Sequence, residues 1–342
     1  MPVKKSKPAA PAKRKVRETQ PEPFWIGFDL GGTKMLACVL NKNYKVLATV
    51  RKSTNGTEGQ AKGKRKMLQL VYDAIAAAEV DPKGLQGIGI GCPGLVNPEK
   101  GILLDAPNLG WRNLNLKAIL KAEFKKPVAV LNDVDAGTYG EYILGAGRGS
   151  RSLLGVFPGT GLGAGFVYNG QLIMGRKVSC MELGMIYFPG THIGSNEYGA
   201  VILEDLTSRL ALASEAGVAC YRGQAPVLNA KTKGNLTDIR SKSLAASFRG
   251  GDEATMVLFR NSMRYLGMGV AAVVNLFAPD QIMLGGGLVE ELPNLYLELL
   301  REEVKRFTVP GLTPGLKFSL AKLGGTAVAS GAVAWLRKNQ VK

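Results

Sequence analysis

Phe24-Trp25-Ile26-Gly27-Phe28-Asp29-Leu30 runs into Gly31-Gly32-Thr33-Lys34 and resumes as Met35-Leu36-Ala37-Cys38-Val39-Leu40. Two apolar runs joined by a glycine turn predict strand, tight turn, strand. The order matters, because the dinucleotide fingerprint and the P-loop both place a helix directly after their glycines. A second strand here excludes both. What remains is a hairpin turn whose glycines let backbone N–H groups approach an anion, with Thr33 adding a hydroxyl and Lys34 a charge.

A related unit follows: Leu153-Leu154-Gly155-Val156-Phe157, then Pro158-Gly159-Thr160-Gly161-Leu162-Gly163, then Ala164-Gly165-Phe166-Val167-Tyr168 and an Asn169-Gly170 turn. The repeat distance of about 130 residues is far too long for a solenoid and predicts two similar lobes facing across a cleft. Between the copies, the spacing predicts a helix over 67–79, a buried strand over 85–91 broken by Cys92-Pro93-Gly94, and a helix over 114–124. Val128–Leu131 then reads as a strand delivering Asn132-Asp133 at its carboxyl end, where open α/β sheets bind ligands. Further on, 256–277 reads as a long apolar helix, Gln281–Leu284 as a strand ending in Gly285-Gly286-Gly287, and 327–336 as an Ala/Gly-rich helix that packs closely on a sheet.

Composition agrees with this frame. The 342 residues are 46% hydrophobic, with 44 Gly and 21% charged residues, so the bulk folds and has material for more than one core. The four cysteines (Cys38, Cys92, Cys180, Cys220) include no C-x-x-C pair, which fits a reducing, cytoplasmic setting. The net charge of +17 is uneven: residues 1–20 hold seven Lys or Arg against Glu18 alone, leaving +11 elsewhere. Residues 1–23 are therefore read as a basic arm outside the fold, able at most to touch nucleic acid nonspecifically. The longest apolar stretch without charge, 265–279, is shorter than the roughly 20 residues that span a bilayer, and no membrane association is expected.

Asp29–Lys34, Gly89-Ile90-Gly91-Cys92-Pro93-Gly94, Leu131-Asn132-Asp133, Gly159-Thr160-Gly161-Leu162-Gly163 and Leu284–Gly287 together resemble the ROK family of sugar kinases and sugar-responsive repressors, within the hexokinase, heat-shock-protein-70 and actin superfamily. The resemblance implies an α/β fold of two actin-like (ribonuclease H-like) lobes whose mixed sheets flank a cleft. Residues 24–134 plus 325–342 would form the smaller lobe and 135–324 the larger. It further implies that Asp29, Gly31, Gly32, Thr33 and Lys34 form the first phosphate loop, with Asp29 near Mg²⁺ through water. Gly159, Thr160, Gly161 and Gly163 would form the second loop, and Gly285, Gly286 and Gly287 the adenosine turn. Asn108, Asn132, Glu182, Glu204 and Gly94 would border the sugar, with Trp111 flanking the pocket.

Asp133 matches the family's catalytic base, and chemistry independently asks for a carboxylate there: a sugar hydroxyl is a poor nucleophile until its proton has an acceptor. One departure stands out. Met181-Glu182-Leu183-Gly184-Met185 has Met185 where the family has a zinc-ligating His, and 198–204 lacks the family's three cysteines. Since a tetrahedral site needs four ligands, no zinc is expected. His192, the only histidine, is read as structural.

Taken singly, a Gly-Gly-Thr turn is as well read as an ordinary hairpin, Asn-Asp after a strand as a local cap, and Glu182 or Glu204 as a solvated acid. Their convergence favours an ATP- and Mg²⁺-dependent hexokinase or glucokinase acting on a small sugar, as a homo-oligomer. The alternatives are a sugar-sensing regulator, disfavoured by having only residues 1–23 ahead of the first strand, and a weakened sugar-binding protein, since Met185 donates no hydrogen bond. The particular sugar, and ATP against polyphosphate as donor, stay open. Lys62, Lys64, Arg65 and Lys66 read as a solvated face or as an attractor of an anionic donor.

Overall fold

The structure is a computed structural model that describes residues 21–179, 181–189 and 199–340. Strands β1 (Phe24–Leu30), β2 (Lys34–Asn41) and β3 (Val46–Ser53) form an antiparallel meander, followed by helix α1 (Gln60–Ala77) and strand β4 (Leu85–Cys92). Three short strands, β5 (Leu95–Asn97), β6 (Ile102–Ala106) and β7 (Trp111–Asn115), make a small separate sheet. Helix α2 (Leu116–Phe124), strand β8 (Val128–Asn132) and helix α3 (Asp133–Leu144) complete the first half. Five strands pair in the order β3-β2-β1-β4-β8, with β1, β4 and β8 parallel.

The second half repeats this order. Strands β9 (Ser152–Pro158), β10 (Leu162–Tyr168) and β11 (Gln171–Leu172) form the meander, and a two-stranded ribbon of β12 (Tyr187–Pro189) and β13 (Ala200–Ile202) follows. Helices α4 (Glu204–Thr207), α5 (Arg209–Tyr221), α6 (Pro226–Thr232), α7 (Ser241–Arg249) and α8 (Glu253–Phe277) lead to strand β14 (Gln281–Leu284). Helices α9 (Gly287–Glu291) and α10 (Pro293–Phe307), strand β15 (Lys317–Leu320) and helix α11 (Ala327–Gln340) end the described chain. The sheet order β11-β10-β9-β14-β15, with β9, β14 and β15 parallel, reproduces the first. The fold is thus α/β with two actin-like mixed sheets, as the repeated glycine turns imply.

Each sheet has its own apolar core. Phe24, Ile26 and Phe28 pack with Met67, Leu70 and Trp111 in one; Leu154, Val156 and Phe166 pack with Phe259, Leu266 and Leu300 in the other. Helices α3 and α11 join them. Gly331 permits this contact, since a Cβ there would lie 1.8 Å from the Ala136 carbonyl oxygen, and α11 also lies on β1 and β4.

Three helices begin elsewhere than their apolar spacing indicates. α8 starts at Glu253 rather than at 256. α1 starts at Gln60 rather than at 67, because its first two turns are mostly polar and exposed and carry little periodicity. α2 starts at Leu116 rather than at 114: residues 111–115 pair with β6, and the Asn115 side chain caps the Ala118 amide at 2.9 Å. Trp111, expected to flank the sugar pocket, is buried against α1, where a Cβ on Gly63 would lie 2.0 Å from its ring.

Candidate active site

The first glycine turn is braced from behind. The Gly31 amide donates to the Lys34 carbonyl at 3.0 Å, and buried Thr54, just past β3, closes over the turn. The Thr54 hydroxyl donates to the Gly31 carbonyl at 2.7 Å, and the Thr54 amide to the Thr33 carbonyl at 2.8 Å. Asn108 borders the turn, since a Cβ on Gly32 would stand 3.5 Å from the Asn108 Cβ.

Asn132 ends β8 and caps α3. Its Oδ1 accepts from the Val134 amide at 2.8 Å and the Asp135 amide at 3.2 Å, while its Nδ2 donates to the Gly94 carbonyl at 3.1 Å. The Asn132 oxygen is thereby occupied by the helix, leaving one N–H to offer a ligand. Gly94, another expected sugar contact, spends its carbonyl on this brace. Asp133 is then the first residue of α3, where the helix N-terminus favours an anion.

Burial pushes the Asp133 carboxyl above the ordinary carboxylate range; the amides of Val134 and of Asp133 itself oppose this, and the Glu182 charge adds to it. Asp29, near the end of β1, is likewise pushed up to about 7, first by burial and then by the Asp133 charge, with Arg51 pulling the other way. Burial raises Glu182 as well, the nearby Glu204 adding a like charge. Several carboxyls thus share one low-dielectric site.

The second turn reaches the same place. Val134, beside Asp133, packs on β10, where a Cβ on Gly163 would lie 2.5 Å from Val134 Cγ2. The turn closes through the Gly159 amide, which donates to the Gly161 carbonyl at 2.8 Å. Glu204, opening α4, accepts the Leu162 amide on Oε2 at 2.7 Å. Of the two expected sugar glutamates, Glu204 is therefore bonded to the second glycine turn, while Glu182 precedes the short turn Leu183–Met185. Met185 itself is 47% exposed. The third glycine turn abuts the second: Gly286 has φ +96, and a Cβ there would lie 2.9 Å from the Pro158 carbonyl oxygen.

Among the described residues, no three His, Cys, Asp or Glu side chains are grouped to hold a metal. The mutually repelling pair Asp29 and Asp133 beside the first turn nevertheless suits Mg²⁺, which takes one or two carboxylates and fills its other positions with water and phosphate. His192, Cys180 and residues 1–20 lie outside the described residues.

The sequence profile of the ROK family matches residues 25–339. The chain belongs to the ROK family. It is 32% identical to a glucokinase of Streptomyces coelicolor over 315 residues, covering 90% of this chain and 95% of that one. A xylose repressor of Caldicellulosiruptor bescii is 30% identical over 277 residues, covering 79% of this chain and 68% of the repressor. Among solved structures, a ROK family glucokinase from Streptomyces griseus in complex with glucose and AMPPNP is 31% identical with a TM-score of 0.76, covering 92% of this chain and 99% of that one.

Three residues of this ROK site escape the sequence reading. Thr54 braces the first turn from beyond a strand with no motif of its own. Arg209, opening α5, donates its amide to the Gly159 carbonyl at 2.8 Å and its Nη2 to the Thr160 hydroxyl at 3.2 Å, so a guanidinium stands on the second turn. Asp135, on the first turn of α3, is 1% exposed. Burial pushes its carboxyl up to about 7, as do the Asp133 and Glu182 charges. The nearby Ser179 hydroxyl partly offsets that shift, yet neither group completes a side-chain hydrogen bond with a described residue.

Proposed function

We propose that this ROK protein is an ATP-dependent hexose kinase of the glucokinase type, acting in the cytoplasm, with Asp133 as the general base. The observation that carries the reading is the position of Asp133: a half-buried, raised carboxyl at a helix N-terminus, coupled to Asp29 beside the first glycine turn and joined through Val134 to the strand of the second. The Streptomyces griseus complex supports glucose and ATP as the ligands. Buried free Cys38, Cys92 and Cys220 accord with a reducing compartment.

In this reading the sugar lies between Asn108, Glu182 and Asp133, and the triphosphate between the glycine turns. The sugar 6-OH passes its proton to an Asp133 carboxylate oxygen as its own oxygen bonds the γ-phosphorus, and the bond from that phosphorus to the ADP oxygen breaks. Such base assistance contributes about 10²- to 10⁴-fold. Lys34, Thr160 and Arg209 hold and neutralise phosphate oxygens, which is positioning rather than covalent work. Mg²⁺, when bound near Asp29, supplies charge neutralisation of the transferring phosphoryl group. The lobes of this reading, 24–134 plus 325–342 against 135–324, hinge near α3, which packs on both α11 and β10.

The test is ADP release with Mg-ATP across hexoses and N-acetylhexosamines, with Asp133→Asn in parallel. The expected outcome is turnover of glucose or a close relative, falling about 10²- to 10⁴-fold in the variant while sugar still raises its melting temperature. Undiminished turnover in Asp133→Asn refutes the assignment of the base. Sugar-dependent stabilisation without turnover of any sugar, with ATP or polyphosphate, instead favours a sugar-sensing role, which the similarity to the xylose repressor motivates.

A further inference from the structure

A cavity of about 610 Å³ opens where α2, the start of β8, the segment after β11 and the end of α11 meet. Its wall carries Lys117 and Lys121 from α2, Lys125 and Lys126 from the turn that follows, and Arg176 from the segment after β11. Glu99 is the one acid on the wall, so the lining is net positive by four charges. None of these five cations forms an ion pair among the described residues, and Lys117 Nζ donates only to the Glu99 backbone carbonyl at 3.3 Å.

A basic run on one helix is ordinarily a solvated face, and Lys121 and Lys125 also suit the negative C-terminal end of α2. That account does not reach Arg176, which comes from a different part of the chain and borders the same cavity. Converging like charges repel one another and cost stability unless an anion neutralises them. The volume lies within the range of ordinary small-ligand sites, roughly 300–1,000 Å³, and the concave shape suits a compact ligand better than a duplex or a flat protein face. Met174 and Trp335 supply an apolar portion of the wall.

We propose that this cavity is a second ligand site, separate from the phosphoryl-transfer site, for a small anion carrying two or more phosphate groups. Each phosphate monoester bears about −1.5 to −2 charges at neutral pH, so two such groups match the excess of four. The shared chemistry admits two sources, a condensed inorganic phosphate or a sugar bisphosphate. Trp335 is a built-in reporter, because its indole borders the cavity and packs edge-on against Tyr139 of α3 at 5.1 Å.

The experiment uses the full chain with its phosphoryl-transfer site filled by glucose, Mg²⁺ and AMPPNP. Inorganic tripolyphosphate and fructose 1,6-bisphosphate are titrated separately at constant ionic strength, following tryptophan emission and calorimetric heat. The expected result is saturable one-to-one binding of at least one anion, weakened at least tenfold in Lys121→Glu/Arg176→Glu, with kcat and melting temperature preserved. The stronger-binding anion identifies the source. A Lys121→Gln/Arg176→Gln variant, which removes charge without reversing it, is expected to fall between. If neither anion binds saturably, or if charge reversal leaves the affinity unchanged, the cavity is not an anion site and any binding belongs to the basic residues 1–20 or the glycine turns. Equal binding of single-stranded RNA that ignores both substitutions overturns it as well.

Discussion

Asp135 is a buried carboxyl that holds a proton where an exposed one would not. An unfolded aspartate ionises near 3.8, whereas burial moves the folded group to about 7, so the folded chain retains an extra proton between those values. Stability therefore declines as pH rises through that window and levels off above about 7. Asparagine has the same shape and no charge, so Asp135→Asn is expected to flatten this decline and to exceed the parent by roughly 2–4 kcal/mol at pH 8, at about 1.4 kcal/mol per pKa unit. Melting temperatures from pH 4 to 8 check this. An identical pH profile in both proteins would show that Asp135 is not the group titrating, and would leave Asp29, Asp133 and Glu182, shifted in the same direction, as the source. At this scale the sequence announces residues that sit inside glycine motifs or directly at a strand end. It is silent on Thr54, Arg209 and Asp135, whose roles depend on what the fold brings opposite them.

Helix α3 carries Asp133, the base of the proposed reaction, at one end and buried Glu141 near the other. Glu141 Oε1 accepts the amides of Lys322 and Leu323 at 2.7 and 2.6 Å, and its Oε2 accepts the Ala146 amide at 2.8 Å. One side chain thereby ties the end of α3 to the chain entering α11, and so fixes the two helices that join the sheets. Removing it strands three backbone donors, each costing about 1–3 kcal/mol when buried and unsatisfied. Glu141→Ala is expected to lose about 3 kcal/mol or more in urea unfolding, and Glu141→Gln less, since its amide oxygen still accepts while its nitrogen opposes a donor. A loss under 1 kcal/mol in the alanine variant would mean that water replaces the carboxylate. Elements whose apolar faces repeat regularly, such as β1, β4 and α8, are legible in the sequence. The exposed start of α1, the short strands of 95–115 and the helices of 204–249 are not, because their residues take their conformation from neighbours remote in the chain.

The whole molecule is a duplicated sheet, and the duplication is legible because each copy joins two apolar strands through a Gly/Thr turn. Ligands that bridge the two halves should act cooperatively, since the one that closes the cleft meets an ordering cost the other then avoids. On the kinase reading, the sugar touches Asn108 and Asp133 from the first half and Glu182 from the second, while the triphosphate touches both turns. Each saturating ligand alone should stabilise the fold by about 2.7 kcal/mol at one hundred times its Kd. The affinity for AMPPNP, measured by calorimetry with and without glucose, should rise with sugar by about 5- to 150-fold, and reciprocity requires the same factor for glucose when AMPPNP is present. Equal nucleotide affinities in the two conditions would mean that the halves bind their ligands without closing. The duplicated architecture would then serve only to position the two turns, and exclusion of water from the reacting phosphoryl group would have to come from the loops around Glu182 instead.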